Sequence, residues 1–307
     1  MFRTMGIKKN IENIFSLSQP YAENGDVSFL GLKRAYKKFL THIQPSVPTS
    51  SLNSVEFIKD PSRSKQLVAL FAEKSRLDDF DRIFSDRPQI QNGLQNVESF
   101  FYKLREVDAS LFSLFSLAIN IIFSGPSELA SGGSSSVAIG CIWINPRENW
   151  SQQDCMEFFI HEMTHNLVFL DEYCHHHYES YSKMFLESNY APSAILSKRR
   201  PLDKVFHSIL VSTEVLLARK AVLGHPKAPK LHPPTPIMLD QTFKSIGFLE
   251  ETEHVYSLLN TRGKELISIC KAHLQDVKAD LVLLPPVQEL VAVPNLNNTA
   301  ISRNRIY

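Results

Sequence analysis

The stretch SQQDCMEFFIHEMTHNLVFLDEY, Ser151 to Tyr173, decides how this chain is read. Ser151 followed three residues later by Asp154 is a box-like helix start, a hydroxyl and a carboxylate placed to satisfy the first free backbone N–H groups. Phe158, Ile160, Leu167, Val168 and Leu170 are spread broadly around the helical wheel, so the pattern predicts a helix from about Gln152 to Tyr173 buried on most sides. At its centre stands His161-Glu162-Met163-Thr164-His165, an H-E-x-x-H pattern. Residues four apart share one helix face at an axial separation of ~6 Å, so two imidazoles can meet one cation. Glu162 is beside the first of them, within reach of a metal-bound water or a substrate.

Reading outward, VAIGCIWINP (Val137 to Pro146) is the best strand in the chain, apolar and β-branched with a proline closing it. The Ser/Gly-rich SGPSELASGGSSS precedes it, and Gly132 to Ser136 offers backbone N–H groups suited to a carboxylate. Further upstream, NVESFFYKLREVDASLFSLFSLAINIIF reads as a long buried helix or a kinked pair, with its most apolar run, Leu111 to Phe123, as helix. Residues 1–95 read as a helical N-terminal region with a substrate-recognition role. FLGLKRAYKKFLTHI and SRSKQLVALFAEKSRLDDFDRIF are its helical patches, and QPSVPTSSLNSVEF is the loop between them. Downstream, a helix from Pro201 or Leu202 runs to about Leu223 before Gly224 and Pro226. The proline-rich HPKAPKLHPPTP leads into two amphipathic helices, QTFKSIGFLEETEHVYSLLN and GKELISICKAHLQDVKADLVLL. The expected fold is mainly α with a small β-sheet (α+β): a zincin-like H-E-x-x-H helix beside a short sheet, surrounded by helices. Residues 96–285 form the metal-binding catalytic core, and 286–307 an extended tail.

Composition narrows the function. The 33 basic and 32 acidic side chains nearly cancel, which gives no electrostatic reason to expect nucleic acid or an anionic membrane. The Leu111–Phe123 run is shorter than the ~20 residues a bilayer requires, and the N-terminus lacks the apolar core of a signal peptide. Four widely spaced cysteines without a C-x-x-C pair read as reduced thiols of a cytoplasmic protein.

An open catalytic metal site wants a third protein ligand. The metzincin extension requires Gly at 168 and His at 171, where this chain has Val168 and Asp171. Glu187 and Glu214 lie far enough along for a carboxylate ligand, but in the wrong local context. The run His175-His176-His177 reads as a solvated cluster, because consecutive helical residues point in different directions. His207, among Phe206, Ile209, Leu210 and Val211, sits on a buried helix and needs a polar partner. It is either a third ligand or a core histidine bonded within its own helix, to Asp203 for instance.

Taken together, HEMTHNLVFLDEY and YAPSAILSKRRPLDKVFHSILVSTEVLLAR resemble the HExxH-domain family of 2-oxoglutarate- and Fe(II)-dependent peptide β-hydroxylases, over about residues 135–225. The matching positions are the H-E-x-x-H itself, Ala191-Pro192, Arg200-Pro201-Leu202 and His207. Ser193-Ala194, Arg199 and Ser208 depart from the family pattern. The resemblance implies a non-haem Fe(II) held by His161, His165 and His207, with open positions for 2-oxoglutarate and O₂. It implies a peptide or amino-acid substrate, free or carrier-bound. Arg200 and Arg199 are the candidates for the co-substrate's distal carboxylate, since a guanidinium fork matches that group. The alternative is a zinc peptidase with Glu162 as general base, and a helical binding protein that keeps only the metal fold is a third reading.

Overall fold

The computed structural model describes residues 1–23, 26, 28–71, 89–125, 131–196 and 198–282. The chain is mainly helical with a small sheet. The longer helices are α1 (Ile7–Ser18), α2 (Phe29–Ile43), α3 (Pro61–Val68), α4 (Gln89–Val107), α5 (Ala109–Ala118), α6 (Gln152–His175), α7 (Leu202–Ala218), α8 (Thr235–Glu251) and α9 (Thr261–Val282). Four strands, β1 (Glu56–Ile58), β2 (Ile121–Ser124), β3 (Gly132–Gly133) and β4 (Cys141–Ile144), form one sheet in the order β1-β2-β4-β3. β1, β2 and β4 run parallel, while β3 pairs antiparallel with β4 at the edge, Gly133 opposite Trp143. A two-residue ladder, β5 (Ala191–Pro192) with β6 (Arg199–Arg200), precedes α7.

Both faces of β2 and β4 are covered, so these strands are buried throughout and apolar but for Ser124 at the end of β2. Ile122, Ile142 and Ile144 face the main core, which takes in Phe158, Phe159 and Met163 of α6 and the apolar face of α7. Ile121, Phe123, Cys141 and Trp143 face a smaller core with Leu67 and Phe71. The alternation follows from the two-residue period of a strand.

The Ser151–Asp154 reading is borne out. Ser151 Oγ accepts from the Asp154 backbone N–H while Asp154 Oδ2 accepts from that of Ser151, at 2.9 Å. α6 then runs to His175, two residues past the expected end.

Elsewhere the structure corrects the sequence reading. The run Leu111 to Phe123 is not one helix: α5 stops at Ala118 and β2 begins at Ile121. The buried ammonium of Lys33 donates to the carbonyls of Leu117 and Ile119, and the Tyr36 hydroxyl to that of Ala118. These donors occupy carbonyls that have no further helical turn to satisfy them. The strand expected from Val137 starts only at Cys141. Before it, Ala138 closes a turn on Ser135, and Gly140 takes a positive φ of 83°. The loop expected from Gln44 to Phe57 gives way at its end to β1, so the N-terminal region is not purely helical. It adds β1 to the common sheet, and α1 packs on α6. In the expected helix through Leu77, α3 covers Pro61–Val68 and positions from 72 to 84 lie outside the described residues, as does the tail 286–307. Among the described residues no helix is long and apolar enough to cross a membrane.

Candidate metal centre

α6 and α7 pack against each other through the main core, bringing His161 and His165 of one helix to His207 of the other. His161 Nε2 stands 3.1 Å from His165 Nε2. His165 Nδ1, on the other edge of that ring, stands 3.0 Å from His207 Nδ1. A fourth histidine extends the row: His232 Nε2 lies 2.8 Å from His161 Nδ1, its ring stacked on that of His161. The order in space is therefore His232, His161, His165, His207.

The row is buried except at one point. His165, His207 and His232 are buried, whereas the His161 side chain keeps 19% of its surface in solvent. Burial holds His161, His165 and His207 well below the usual histidine range. Positive charge adds to it, from Lys204 at His207 and from Lys204 and Arg200 at His165. All three imidazoles are thus neutral near pH 7, the form that binds a metal.

Glu162 is buried, with Oε1 3.8 Å from His161 Nε2. Burial pushes its carboxyl up to about 8, against a hydrogen bond from Ser134 Oγ to Oε2 at 2.8 Å. Asn166 holds that serine in place. Its amide donates to Ser134 Oγ (3.0 Å) and to the Glu162 carbonyl (2.8 Å), and its Oδ1 accepts from Gly140 N–H (2.7 Å). The Ser/Gly loop is thereby tied to α6 at the level of the H-E-x-x-H. Its hydroxyl, rather than its backbone N–H groups, meets a carboxylate.

Two nitrogens that ligate one cation at ~2.0–2.1 Å stand about 2.8–3.4 Å apart, depending on the angle between them. The His161–His165 separation fits that interval, and a neutral imidazole pair suits zinc or ferrous iron. His207 lies next to the pair but meets His165 on the edge turned away from His161. Accordingly, among the described residues no group of three or more His, Cys, Asp or Glu side chains is arranged to hold a metal ion as it stands.

The other sequence candidates fall in several places. Arg200 lies near enough for its charge to act on His165. Arg199 is exposed, donates to the Tyr190 carbonyl at 2.5 Å and lies over the Phe248 ring, so it holds the β5–β6 ladder against α8. Glu214 accepts from the backbone N–H groups of Arg3 and Thr4 and pairs with the Met1 amine, and Glu187 is exposed. Of the His175–His177 run, only the first two are solvated. His177 is buried, 2.8 Å from Asp171 Oδ2, and Arg262 and Asn13 hold the same carboxylate.

Sequence reasoning missed His232, Glu157 and Arg219. Glu157 receives two hydrogen bonds from Arg219 (2.8 and 2.7 Å) and lies 3.0 Å from His232 Nδ1, all three side chains being buried. Glu157 is one helical turn before His161, and its one signal is a carboxylate on the same helix face as that histidine. His232 lies in the proline-rich connector, where nothing in the spacing ties it to a helix 71 residues away. Two surface cavities, of about 490 and 420 Å³, are lined around Ser193 and Gln241 and around Phe101 and Arg105, and neither includes a histidine of the row.

The sequence matches no family model and no curated protein.

Proposed function

We propose that this chain is a metal-dependent enzyme of the H-E-x-x-H kind, working as an Fe(II)- and 2-oxoglutarate-dependent hydroxylase on a peptide or on a free or carrier-bound amino acid. The observation that carries the metal reading is the convergence of His161 Nε2 and His165 Nε2 at 3.1 Å beside the buried Glu162. Ferrous iron with the keto acid and O₂ supplies the oxidising power when bound. The chain's own residues do the rest. His161 and His165 hold the cation, and the short solvent-exposed edge of His161 marks the side from which substrate arrives. Arg200, with Lys204 also acting on His165, supplies positive charge for the distal carboxylate of the co-substrate. The resemblance makes His207 a third ligand, while its contact with His165 Nδ1 favours a role behind that ring. Four cysteines, none of them in a disulfide, fit a reducing cytoplasmic setting.

A specific observation favours the zinc peptidase as the second reading. The Glu162 carboxyl lies 3.8 Å from a ligand nitrogen, and the antiparallel edge strand β3 is joined to it through Ser134, a zincin-like arrangement. Anaerobic loading with Fe(II) followed by 2-oxoglutarate separates the two. The hydroxylase gives a visible metal-to-keto-acid charge-transfer band. Tight stoichiometric zinc with cleavage of a generic peptide, and no such band, would overturn it.

A further inference from the structure

We propose that Arg219, Glu157 and His232 form a clamp that sets the tautomer of His161 and so aims its Nε2 lone pair at the metal position. The inference rests on the metal reading above, and its logic is one of donors and acceptors. Glu157 takes two N–H bonds from Arg219, one to each carboxylate oxygen, so it is an ionised acceptor. An acceptor-only group 3.0 Å from His232 Nδ1 requires the proton on that nitrogen. An imidazole whose one ring proton sits on Nδ1 presents a lone pair at Nε2. That lone pair faces His161 Nδ1 at 2.8 Å, so His161 Nδ1 carries its proton. The remaining nitrogen of His161, Nε2, is left with its lone pair, and it is this atom that converges on His165 Nε2.

The fold invests in holding His232 there. Arg219 also donates to the carbonyl of Pro233 (2.8 Å) and to Thr235 Oγ1 (3.2 Å), on either side of Pro234. Asp154 Oδ1 accepts from the backbone N–H groups of Lys230 and Leu231. Asp154 at the start of α6 and Arg219 just past the end of α7 thus grip the connector on both flanks of His232, and Pro233 and Pro234 stiffen it. A connector serving only to span α7 and α8 has no need of a buried Arg–carboxylate–imidazole chain ending on the first histidine of H-E-x-x-H. His232 is a positioning residue that acts through His161, the arrangement that makes a metal-bound histidine a better and better-oriented ligand.

Two measurements on the full chain test this. In the metal-free protein, long-range ¹H–¹⁵N correlation of the imidazoles should show His161 protonated at Nδ1, and His232→Ala should turn that signal into a tautomer mixture. Titration with Co(II) should show affinity lowered about 10–100-fold in His232→Ala. His232→Gln should restore most of it, because its amide can donate to Glu157 and its carbonyl accept from His161. Retention of the parent's Co(II) affinity and His161 tautomer by a folded His232→Ala would overturn the clamp. Should His232→Ala fail to fold, the clamp is judged on His232→Gln, where a lost Nδ1-protonated tautomer overturns it. A parent chain that binds neither Co(II), Zn(II) nor Fe(II) while keeping the clamped tautomer would instead overturn the metal reading alone.

Discussion

His207 Nδ1 lies 3.0 Å from His165 Nδ1, while His165 turns its other nitrogen toward His161 Nε2 at 3.1 Å. The two nitrogens of one ring therefore serve two neighbours. If His165 gives its Nε2 lone pair to a cation, its Nδ1 must keep a proton, and His207 Nδ1 is the acceptor that receives it.

The role of His207 follows from that contact. His207→Ala should weaken metal binding about 10–100-fold without abolishing it, as expected for loss of a ring's rear partner. Pulsed EPR of the Cu(II)-loaded chain should count two coordinated imidazoles in both parent and variant. Three in the parent and two in the variant would make His207 a ligand.

Glu162 separates oxidation from hydrolysis. Its burial against Ser134, with the carboxyl pushed up to about 8, suits a group that handles a proton. Glu162→Gln should leave a hydroxylase with measurable keto-acid turnover, because the residue is not what generates the oxidant. A peptidase with the same change should lose ~10²–10⁴ in rate. Succinate release and peptide cleavage, measured on one preparation, read the two.

The H-E-x-x-H helix, its capping box and the buried helix α7 were legible because helical period, cap chemistry and the apolar run around His207 are local signals. The break between α5 and β2 was not. It is made by Lys33, 84 and 86 residues from the carbonyls it holds, and a buried ammonium leaves no periodic trace. His232 escaped for the same reason, as its partners Glu157 and His161 belong to another helix. Glu214 was a plausible ligand by position, and only the fold reveals that the N-terminal segment occupies its carboxylate.

Gly132 is required by close approach. A Cβ there would meet Phe158 Cε2 at 2.4 Å, Cζ at 2.5 Å and the Trp143 carbonyl at 2.7 Å. Phe158 is buried and Trp143 O is backbone of β4, so neither yields easily. Gly132→Ala should cost about 1–3 kcal/mol in chemical denaturation. It should also lower metal affinity, because displacing β3 moves Ser134 off Glu162. Unchanged stability would show that the edge strand adapts.

Acid should lower stability through the Glu157 carboxylate of α6. Burial alone would push the Glu157 carboxyl up, but the hydrogen bonds from His232 and Arg219, with the Arg219 charge, outweigh it and bring it down to about 2. Asp171, held by His177 and Arg262 against the same burial, also lies well below the usual carboxylate range. A depressed folded-state pKa contributes stability that is whole above the unfolded carboxyl pKa of ~4.3 and drains as pH falls toward the folded value. For Glu157 the window runs from about 4.5 down to about 2. The contribution is on the order of 3 kcal/mol. Urea unfolding at pH 5, 4 and 3 should show the parent losing stability steeply across that range. Glu157→Gln should be less stable at pH 7, because Arg219 is left buried without its counter-charge, yet should show a flatter pH slope. Parallel slopes for parent and variant would mean that Glu157 is not a carboxylate on which acid stability depends.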